Sequence, residues 1–403
     1  MIDVIVIGGG AAGIFASIQA AENGAKVMVL EKTGKLLSKV RISGGGRCNV
    51  THRPLPLSAL VKNYPRGGKK LKPLFARWDS QNTMDWFIAR GVSLKIEDDG
   101  RVFPVSNNSE DIVSCLLKEA NRYNVDIRTG FGVVKIVPLE NGFEVHCTDG
   151  KIFRSQKVIA ASGGSPKPGG LKMWSDLGLD IIDPVPSLFT FNIKHKPLTE
   201  LMGLSVPEAT PHIPALRQQF TGPLLITHWG LSGPAVLKLS AFAARALADC
   251  NYHFDMRIRW IPDLTHDEIV ESLKGKKRLH TAGMFDLPKR LWQYLCGRAE
   301  MRLEVEMNAL SLKEKNRLAE VLLNDVYQVQ GKSTFKEEFV TAGGVSLSEI
   351  DISSCESLRY PGLFLIGELI DVDGITGGFN FQAAWAGGFV AGKTAGNAVA
   401  IER

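Results

Sequence analysis

The chain has few of the features that mark disulfide-bonded, zinc-binding or membrane proteins. Its six cysteines are scattered over 403 residues, and no two of them form a C-x-x-C pair. This spacing argues against a zinc ribbon and against a redox-active dithiol, and reduced cytosolic thiols account for it most simply. No apolar run reaches the ~20 residues of a membrane-spanning helix. No basic segment with a cleavage site precedes the first strand, so we expect a cytoplasmic protein without a secretory signal.

Long blocks of like charge, internal repeats and low-complexity tracts are also missing from the sequence. The net charge of +6 is modest, and 44% apolar with 22% charged residues is typical of a globular protein. Two short basic runs, Arg66–Lys72 and Lys274–Arg278, are interpreted as solvated loops or helix ends rather than as a nucleic-acid surface. The length predicts two or three domains.

The first thirty residues have the pattern of a dinucleotide-binding βαβ unit. An apolar strand, Ile2–Ile7, leads into a G-x-G-x-x-G turn, a helix and a second strand that ends in Glu31. Gly8 allows the tight turn, Gly10 lets the backbone approach a pyrophosphate, and Gly13 lets the helix pack on the strand. The helix N-terminus then presents N–H groups to the phosphates. Glu31 is expected to bind ribose hydroxyls, and its charge argues against a 2′-phosphate there.

A second segment near the end of the chain has the same kind of geometry. An apolar strand ends in Gly367-Glu368, and a Gly-Gly pair precedes a final helix that we predict over 380–399. Asp373 lies between them and is predicted either to bind a ribityl chain or to cap the helix. Glu368 is predicted either to bind the cofactor or to be structural. The N–H groups that we expect to stabilise negative charge on a heterocycle belong to Gly378, Phe379 and Asn380.

The third motif is a glycine run between cationic residues. Lys39 and Arg41 precede Gly44-Gly45-Gly46, and Arg47-Cys48-Asn49 follow. Three consecutive glycines give a backbone that can lie flat against a planar ring. Arg47 would supply positive charge near phosphates or a reduced flavin. Cys48 is a candidate catalytic thiol because Arg47 would lower its pKa if it were exposed, and a buried, inert thiol is the alternative.

Two further turns carry candidate residues. Ser162-Gly163-Gly164 follows a buried strand, at the carboxyl end where ligands of parallel sheets bind. His228 lies beside the turn Gly230–Pro234 and is a candidate catalytic acid or base. A histidine that is hydrogen-bonded inside the turn is the alternative. No group of residues indicates a metal site.

Together these motifs resemble a bacterial family of FAD-binding flavoproteins that includes aminoacetone-oxidase-like enzymes and a 3-dehydro-bile-acid 4,6-reductase. The resemblance runs from the first strand to the last helix and implies FAD bound in an extended pose. It implies, with the motifs above, three catalytic candidates, His228, Arg47 and Cys48. The cofactor-binding residues expected on the same basis are Gly8, Gly10, Ala12, Gly13, Glu31, Lys32, Lys39, Gly44, Gly45, Arg47, Cys48, Asn49, Val133, Val134, Ser162, Gly163, Gly164, Gly367, Glu368, Asp373, Gly378, Phe379 and Asn380.

The expected fold is α/β, with a Rossmann-like FAD-binding domain built from both chain ends. Residues 1–190 and 341–403 would form this domain, and 191–262 with 331–340 a β-rich substrate domain. Residues 263–330 would form a small helical insert. One helix is predicted near 72–90 and another over 111–123. Phe191, Asn192 and Phe381 depart from the family pattern, so the resemblance does not identify the substrate.

The expected function is that of an FAD-dependent oxidoreductase, which passes a hydride between a small organic substrate and flavin. NAD(P)H is the expected reductant, bound transiently, because the sequence has no second G-x-G-x-x-G unit for it. The alternatives are an O₂-using amine oxidase of the same fold, a flavin-dependent RNA-modifying enzyme and a redox-inert FAD-binding protein. We expect a small-molecule partner, with no stable nucleic-acid partner and no membrane.

Overall fold

The computed structural model describes residues 2–165, 167–281, 283–333 and 340–401. The chain divides into two compact units. Unit 1 comprises Met1–Pro186 and Phe335–Arg403, and unit 2 comprises Ser187–Thr334. The predicted domain boundary at 331–340 falls largely on residues outside the described ranges.

The helices and strands are numbered along the chain. The helices are α1 Ala11–Glu22, α2 Ser38–Gly46, α3 Leu57–Leu60, α4 Lys72–Arg77, α5 Ser80–Ile88, α6 Glu110–Arg122, α7 Lys172–Asp176, α8 Lys196–Thr199, α9 Pro234–Asp249, α10 His266–Ser272, α11 Lys289–Arg298, α12 Leu312–Asn324 and α13 Phe379–Ile401. The strands are β1 Ile2–Ile7, β2 Val27–Glu31, β3 Thr51–His52, β4 Leu94–Ile96, β5 Arg101–Pro104, β6 Asp126–Thr129, β7 Val133–Leu139, β8 Gly142–Cys147, β9 Ile152–Ala160, β10 Ile181–Ser187, β11 Thr190–Asn192, β12 Ser205–Ile213, β13 Gln218–Gln219, β14 Gly222–Ile226, β15 Gly230–Ser232, β16 His253–Arg259, β17 Asp325–Gln330, β18 Lys332–Ser333, β19 Val340–Val345, β20 Ile350–Asp351, β21 Glu356–Ser357 and β22 Leu363–Leu365.

Unit 1 is organised around a parallel sheet. Its parallel strands have the order β22-β9-β1-β2-β6, so a strand from the end of the chain pairs beside the strand next to β1. The hairpin β7–β8 joins β9 in antiparallel fashion, and β20–β21 joins β22. Val4, Ile5 and Val6 have no exposed surface because both faces of a parallel sheet are covered.

Helices α1 and α13 pack together through small residues. A methyl group at Gly392 would lie 2.5 Å from the carbonyl oxygen of Ala16, and Gly388 and Gly396 meet α1 almost as closely. The absence of side chains at these positions lets the two backbones touch. The two ends of the chain therefore build one domain, which confirms the predicted Rossmann-like architecture.

The helix predicted near 72–90 is instead two helices. Trp78 adopts an extended conformation, and the carboxylate of Asp79 accepts a hydrogen bond from the N–H of Asn82 at 3.0 Å. This reciprocal cap starts α5 afresh, since an aspartate at that position favours a helix N-terminus over continuation.

Unit 2 contains an antiparallel sheet with the order β17-β16-β12-β14-β15-β11-β18. Its hydrophobic core includes Phe191, Trp260, Trp292 and Leu322, so the helices of 263–330 share one core with the sheet. The β-rich region is confirmed, and the separate helical insert stays a prediction. Among the described residues, no helix has both the length and the apolar character to cross a membrane.

Candidate functional site

The first glycine turn is packed tightly except at one position. A methyl group at Gly8, where φ is +106°, would lie 2.4 Å from the carbonyl oxygen of Ala161, and one at Gly13 would lie 2.0 Å from that of Gly8. At Gly10, no atom of the described residues would lie within 4 Å of an added methyl group. Gly10 thus presents bare backbone at the start of α1, as a bound pyrophosphate requires.

The carboxylate that ends β2 is tied to this turn. Glu31 accepts hydrogen bonds of 2.8 Å from the N–H of Gly9 and from both the N–H and the hydroxyl of Thr33. Exposed Lys32 follows, and its Cβ would lie 3.5 Å from a methyl group at Gly132, just before Val133. Half-buried Val133 and exposed Val134 therefore lie on the Lys32 side of the turn, where the adenine is expected.

The ends of β9 and β22 reach the same turn. Ser162 and Gly163 follow β9, and Gly163 also has open space beside its Cα. A methyl group at Gly367 would lie 3.0 Å from the Cβ of Ala12 in the first turn of α1, and one at Gly164 would lie 3.4 Å from the Cβ of Glu368. The structure thus brings together the predicted glycines from both chain ends. Glu368 forms an ion pair with Lys39, another predicted site residue.

The Gly44–Gly46 segment forms an open backbone at the end of α2. All three glycines have positive φ values, between +59° and +83°. A methyl group at Gly44 would lie 2.9 Å from the ring of Phe103, whereas Gly45 and Gly46 have no described atom within 4 Å of that position. The side-chain amide of Asn49 donates to the carbonyl of Thr51 at 3.0 Å and accepts from the N–H of Gly378 at 2.9 Å. One face of this backbone is therefore open, and Asn49 joins the segment to the start of α13.

Arg47 and Cys48, the two catalytic candidates of this segment, differ in their burial and charge. Arg47 lies over the ring of Phe103 at 3.9 Å and forms an ion pair with Glu97 at 2.7 Å, so its charge is fixed in place. Cys48 is fully buried, and this burial raises the pKa of its thiol to about 12. A neutral thiol is a poor nucleophile, which favours the inert alternative for Cys48.

The loop before α13 is held by its own amide pairs and by other segments. The side chain of Asn380 accepts from the N–H of Gly374 at 2.8 Å and donates to its carbonyl at 2.9 Å. A methyl group at Gly378 would lie 2.4 Å from the backbone of Thr51. Phe379 is buried and stacks on His52 with 4.8 Å between ring centres. Burial lowers the pKa of His52.

Asp373 has a partner that none of the motifs contains. Its carboxylate is fully buried and forms an ion pair with Arg66, which is 8% exposed. Because the partner lies 307 residues away, no local spacing could have revealed it. Tyr64 and His52, which contact Phe379, belong to none of the motifs either. Their only visible signal was that aromatic residues flank the basic and glycine-rich segments.

His228 lies in unit 2, in the turn between β14 and β15. The hydroxyl of Thr227 donates to the carbonyl of Gly230 at 3.1 Å and accepts from the N–H of Trp229, so other groups make the bonds of the turn. The ring of His228 is exposed and lies 4.7 Å from that of Trp229. Its catalytic role stays a prediction. Within the described residues, no cluster of three or more His, Cys, Asp or Glu side chains is suited to a metal ion.

The open backbones at Gly10, Gly45, Gly46 and Gly163 fit an extended dinucleotide with a planar ring at one end. A family model of the HI0933-like protein Rossmann domain matches residues 2–394. The chain is 30% identical, over 95% of both chains, to a ribosomal RNA dihydrouridine synthase of Escherichia coli. It is 27% identical, over 97% of this chain and 98% of the other, to a 3-dehydro-bile acid delta(4,6)-reductase of Clostridium scindens.

Solved structures show the same fold. A 3-ketosteroid-delta4-(5alpha)-dehydrogenase from Rhodococcus jostii superposes with a TM-score of 0.53 at 15% identity, over 98% of this chain and 96% of the other. Family model, relatives and fold agree with the resemblance drawn from the motifs. The chain therefore belongs to the HI0933-like family of FAD-binding Rossmann proteins and is an FAD-dependent oxidoreductase.

Proposed function

We propose that the protein uses NAD(P)H to reduce a carbon–carbon double bond that is conjugated to a carbonyl group. The observation that carries this proposal is the open Gly45–Gly46 backbone next to the fixed charge of Arg47, joined through Asn49 to the start of α13. Such a platform suits a flat ring that gains negative charge when it is reduced, because cationic and N–H groups stabilise that charge.

The names of two full-length relatives support this class of reaction. A dihydrouridine synthase adds hydrogen across a ring double bond that lies beside a carbonyl, and a 3-dehydro-bile acid delta(4,6)-reductase does so beside a ketone. Conjugation with the carbonyl makes each double bond electron-poor, so it accepts a hydride at its β-carbon. We infer the same reaction class for this chain.

Each predicted site residue has a proposed role in FAD binding or in the reaction. When bound, FAD supplies the hydride chemistry at its N5 atom. Gly10 and the N-terminus of α1 would bind the pyrophosphate, and Glu31 the adenosine ribose. Arg47 and the N–H groups of Phe379 and Asn380 would stabilise negative charge near the flavin ring, whereas the N–H of Gly378 is already bonded to Asn49. His228 is our candidate for the proton donor to the second carbon of the double bond.

The source of electrons is part of the proposal. Without a second G-x-G-x-x-G unit, the nicotinamide would bind transiently over the flavin ring. The test is anaerobic incubation of the purified holoprotein with NADPH or NADH and a conjugated enone. We expect a product that has gained two hydrogen atoms. Flavin that amines reduce and O₂ reoxidises would instead favour the oxidase, and flavin that no donor reduces would favour a redox-inert protein.

A uracil ring in RNA is the second candidate substrate. The relative from E. coli is named for ribosomal RNA and matches 95% of this chain at 30% identity, and the net charge of +6 suits an anionic partner. Ribosomal RNA transcripts, free uridine and a steroid enone offered in parallel distinguish the two. Dihydrouridine formed only in the transcript would establish the RNA substrate.

We place the activity in the cytoplasm, since all six thiols are unpaired.

A further inference from the structure

We propose that the segment Asn63–Gly67 is a clamp that positions the loop Asp373–Asn380, with Tyr64 and Arg66 as the positioning residues. The inference rests on the proposed function only in assigning this loop to the flavin site. It adds two residues that no motif identified and gives them a measurable role, which is to hold the loop in the form that binds FAD.

The strongest contact of the clamp is a buried ion pair. Both Nε and Nη2 of Arg66 donate to the carboxylate of Asp373, one to each oxygen. The guanidinium is 8% exposed and the carboxylate has no exposed surface. The backbones of the two residues also form an isolated β-bridge. A planar, two-pronged pair fixes orientation as well as distance, which a lysine at position 66 would not do.

Tyr64 forms the second contact, at the other end of the loop. Its hydroxyl donates to the carbonyl of Phe379 at 2.8 Å, and the two rings meet edge to face with centres 6.0 Å apart. Tyr64 is buried, and burial raises its pKa well above the ordinary value, so the hydroxyl keeps the proton that it donates. The carbonyl of Phe379 belongs to the first turn of α13, whose N–H groups are predicted to face the flavin.

A backbone hydrogen bond and a close approach at Gly67 complete the clamp. The carbonyl of Asn63 accepts from the N–H of Ile375 at 2.9 Å. A methyl group at Gly67 would lie 2.9 Å from the side chain of Val372, so the chain passes directly over the start of the loop. The segment therefore touches the loop near its start, its middle and its end.

A buried ion pair adds little net stability, because desolvation of both charges offsets their attraction. What such a pair secures is position. The loop from Asp373 to Gly378 is not part of any helix and contains positive φ values at Gly377 and Gly378. Fixing such backbone costs conformational entropy, so a loop without the clamp would have to be ordered by FAD itself, which weakens binding.

The experiment compares Y64F and R66K with two matched variants in the holoprotein. Y360F removes another tyrosine hydroxyl that donates to a backbone carbonyl of unit 1, that of Leu177. R298K disrupts another arginine–aspartate pair, in unit 2, in which Nε and Nη2 of Arg298 both donate to one oxygen of buried Asp325. The measured quantities are the FAD dissociation constant, from flavin fluorescence, and the hydrogen exchange of amides 373–380.

We expect Y64F to raise the FAD dissociation constant about 2- to 10-fold, as loss of one hydrogen bond implies. R66K should raise it at least about 10-fold, and both variants should speed amide exchange in the loop. Y360F and R298K should leave the dissociation constant within about twofold of the wild type, even where they lower thermal stability.

The clamp would be overturned if the folded Y64F and R66K proteins bind FAD as tightly as the wild type. Their loop amides would then also exchange hydrogen as slowly as those of the wild type. If R66K does not fold, Y64F decides, because it removes a single oxygen. The proposed reductase activity fails in a different way: wild-type holoprotein would then bind FAD normally while neither nicotinamide reduces it.

Discussion

Gly10 offers a substitution that separates folding from cofactor binding. Its φ of −84° and ψ of −171° are open to alanine, and no described atom lies within 4 Å of the added methyl group. The apo fold should therefore accept G10A without strain. Alanine has fewer unfolded conformations than glycine, which favours the folded state by about 0.4–1 kcal/mol, but alanine is the weaker N-cap for α1. The free energy of unfolding should therefore stay within about 1 kcal/mol of the wild-type value.

FAD binding by G10A should suffer, because the methyl group occupies the position that we assign to the pyrophosphate. Forcing an extra methyl group into a packed contact costs about 1–3 kcal/mol. That cost corresponds to a dissociation constant about 5- to 150-fold higher. The assay is urea unfolding of the apoprotein together with a fluorescence titration of FAD into it.

The matched control for G10A is G297A, since Gly297 lies in α11 of unit 2 with equally open space beside it. G297A should match the wild type in FAD affinity and gain about 0.5–1 kcal/mol in stability. If G10A binds FAD as tightly as the wild type, the pyrophosphate does not lie over Gly10. If instead the G10A apoprotein loses more than about 2 kcal/mol of unfolding free energy, which is more than a weaker N-cap explains, the turn is not open.

Three further predictions concern the thiols, a buried carboxylate and the packing of the two chain ends. Cys250 is the exposed cysteine among six free ones, so a thiol reagent should titrate one group in the native protein and six after unfolding. Hydrogen bonds from Arg359 lower the pKa of Glu349 below its ordinary value of 4.5. The stabilisation by Glu349 is therefore fully present above about pH 4.5 and is lost as the pH falls through the lowered value; the difference in urea-unfolding free energy between the wild type and E349Q should be about 1 kcal/mol at pH 7 and should shrink in acid. G392A should lower the unfolding free energy by about 1–3 kcal/mol in a urea melt, because its methyl group would lie 2.5 Å from the carbonyl oxygen of Ala16.

The local sequence carried most of the information about the Rossmann-like fold. The glycine spacing at Gly8, Gly10 and Gly13 predicted both the turn and its one open position. Local geometry explains this, because Gly8 and Gly13 have no room for a side chain and Gly10 leaves the backbone open. The second half of the sheet was also predictable, since β22 and its Gly-Glu end repeat the pattern of the first strand.

The contacts that hold the loop before α13 could not be predicted in the same way. Arg66 was interpreted as part of a solvated basic run, yet it is buried against Asp373. An arginine is expected to be exposed unless an acidic partner allows it to be buried. The acidic partner of Arg66 lies 307 residues away in the sequence, so the burial of Arg66 could not be predicted locally. Cys48 is a related case. Its burial raises the pKa of the thiol, whereas the sequence showed only the neighbouring charge of Arg47.

The most direct test of the account is an anaerobic titration of the purified holoprotein with NADPH and NADH, followed through the visible absorbance of the flavin. We expect at least one nicotinamide to remove this absorbance. A conjugated enone or a uracil-containing RNA, added without O₂, should then restore the absorbance in proportion to the substrate reduced. A flavin that stays oxidised with both nicotinamides would contradict the proposed function.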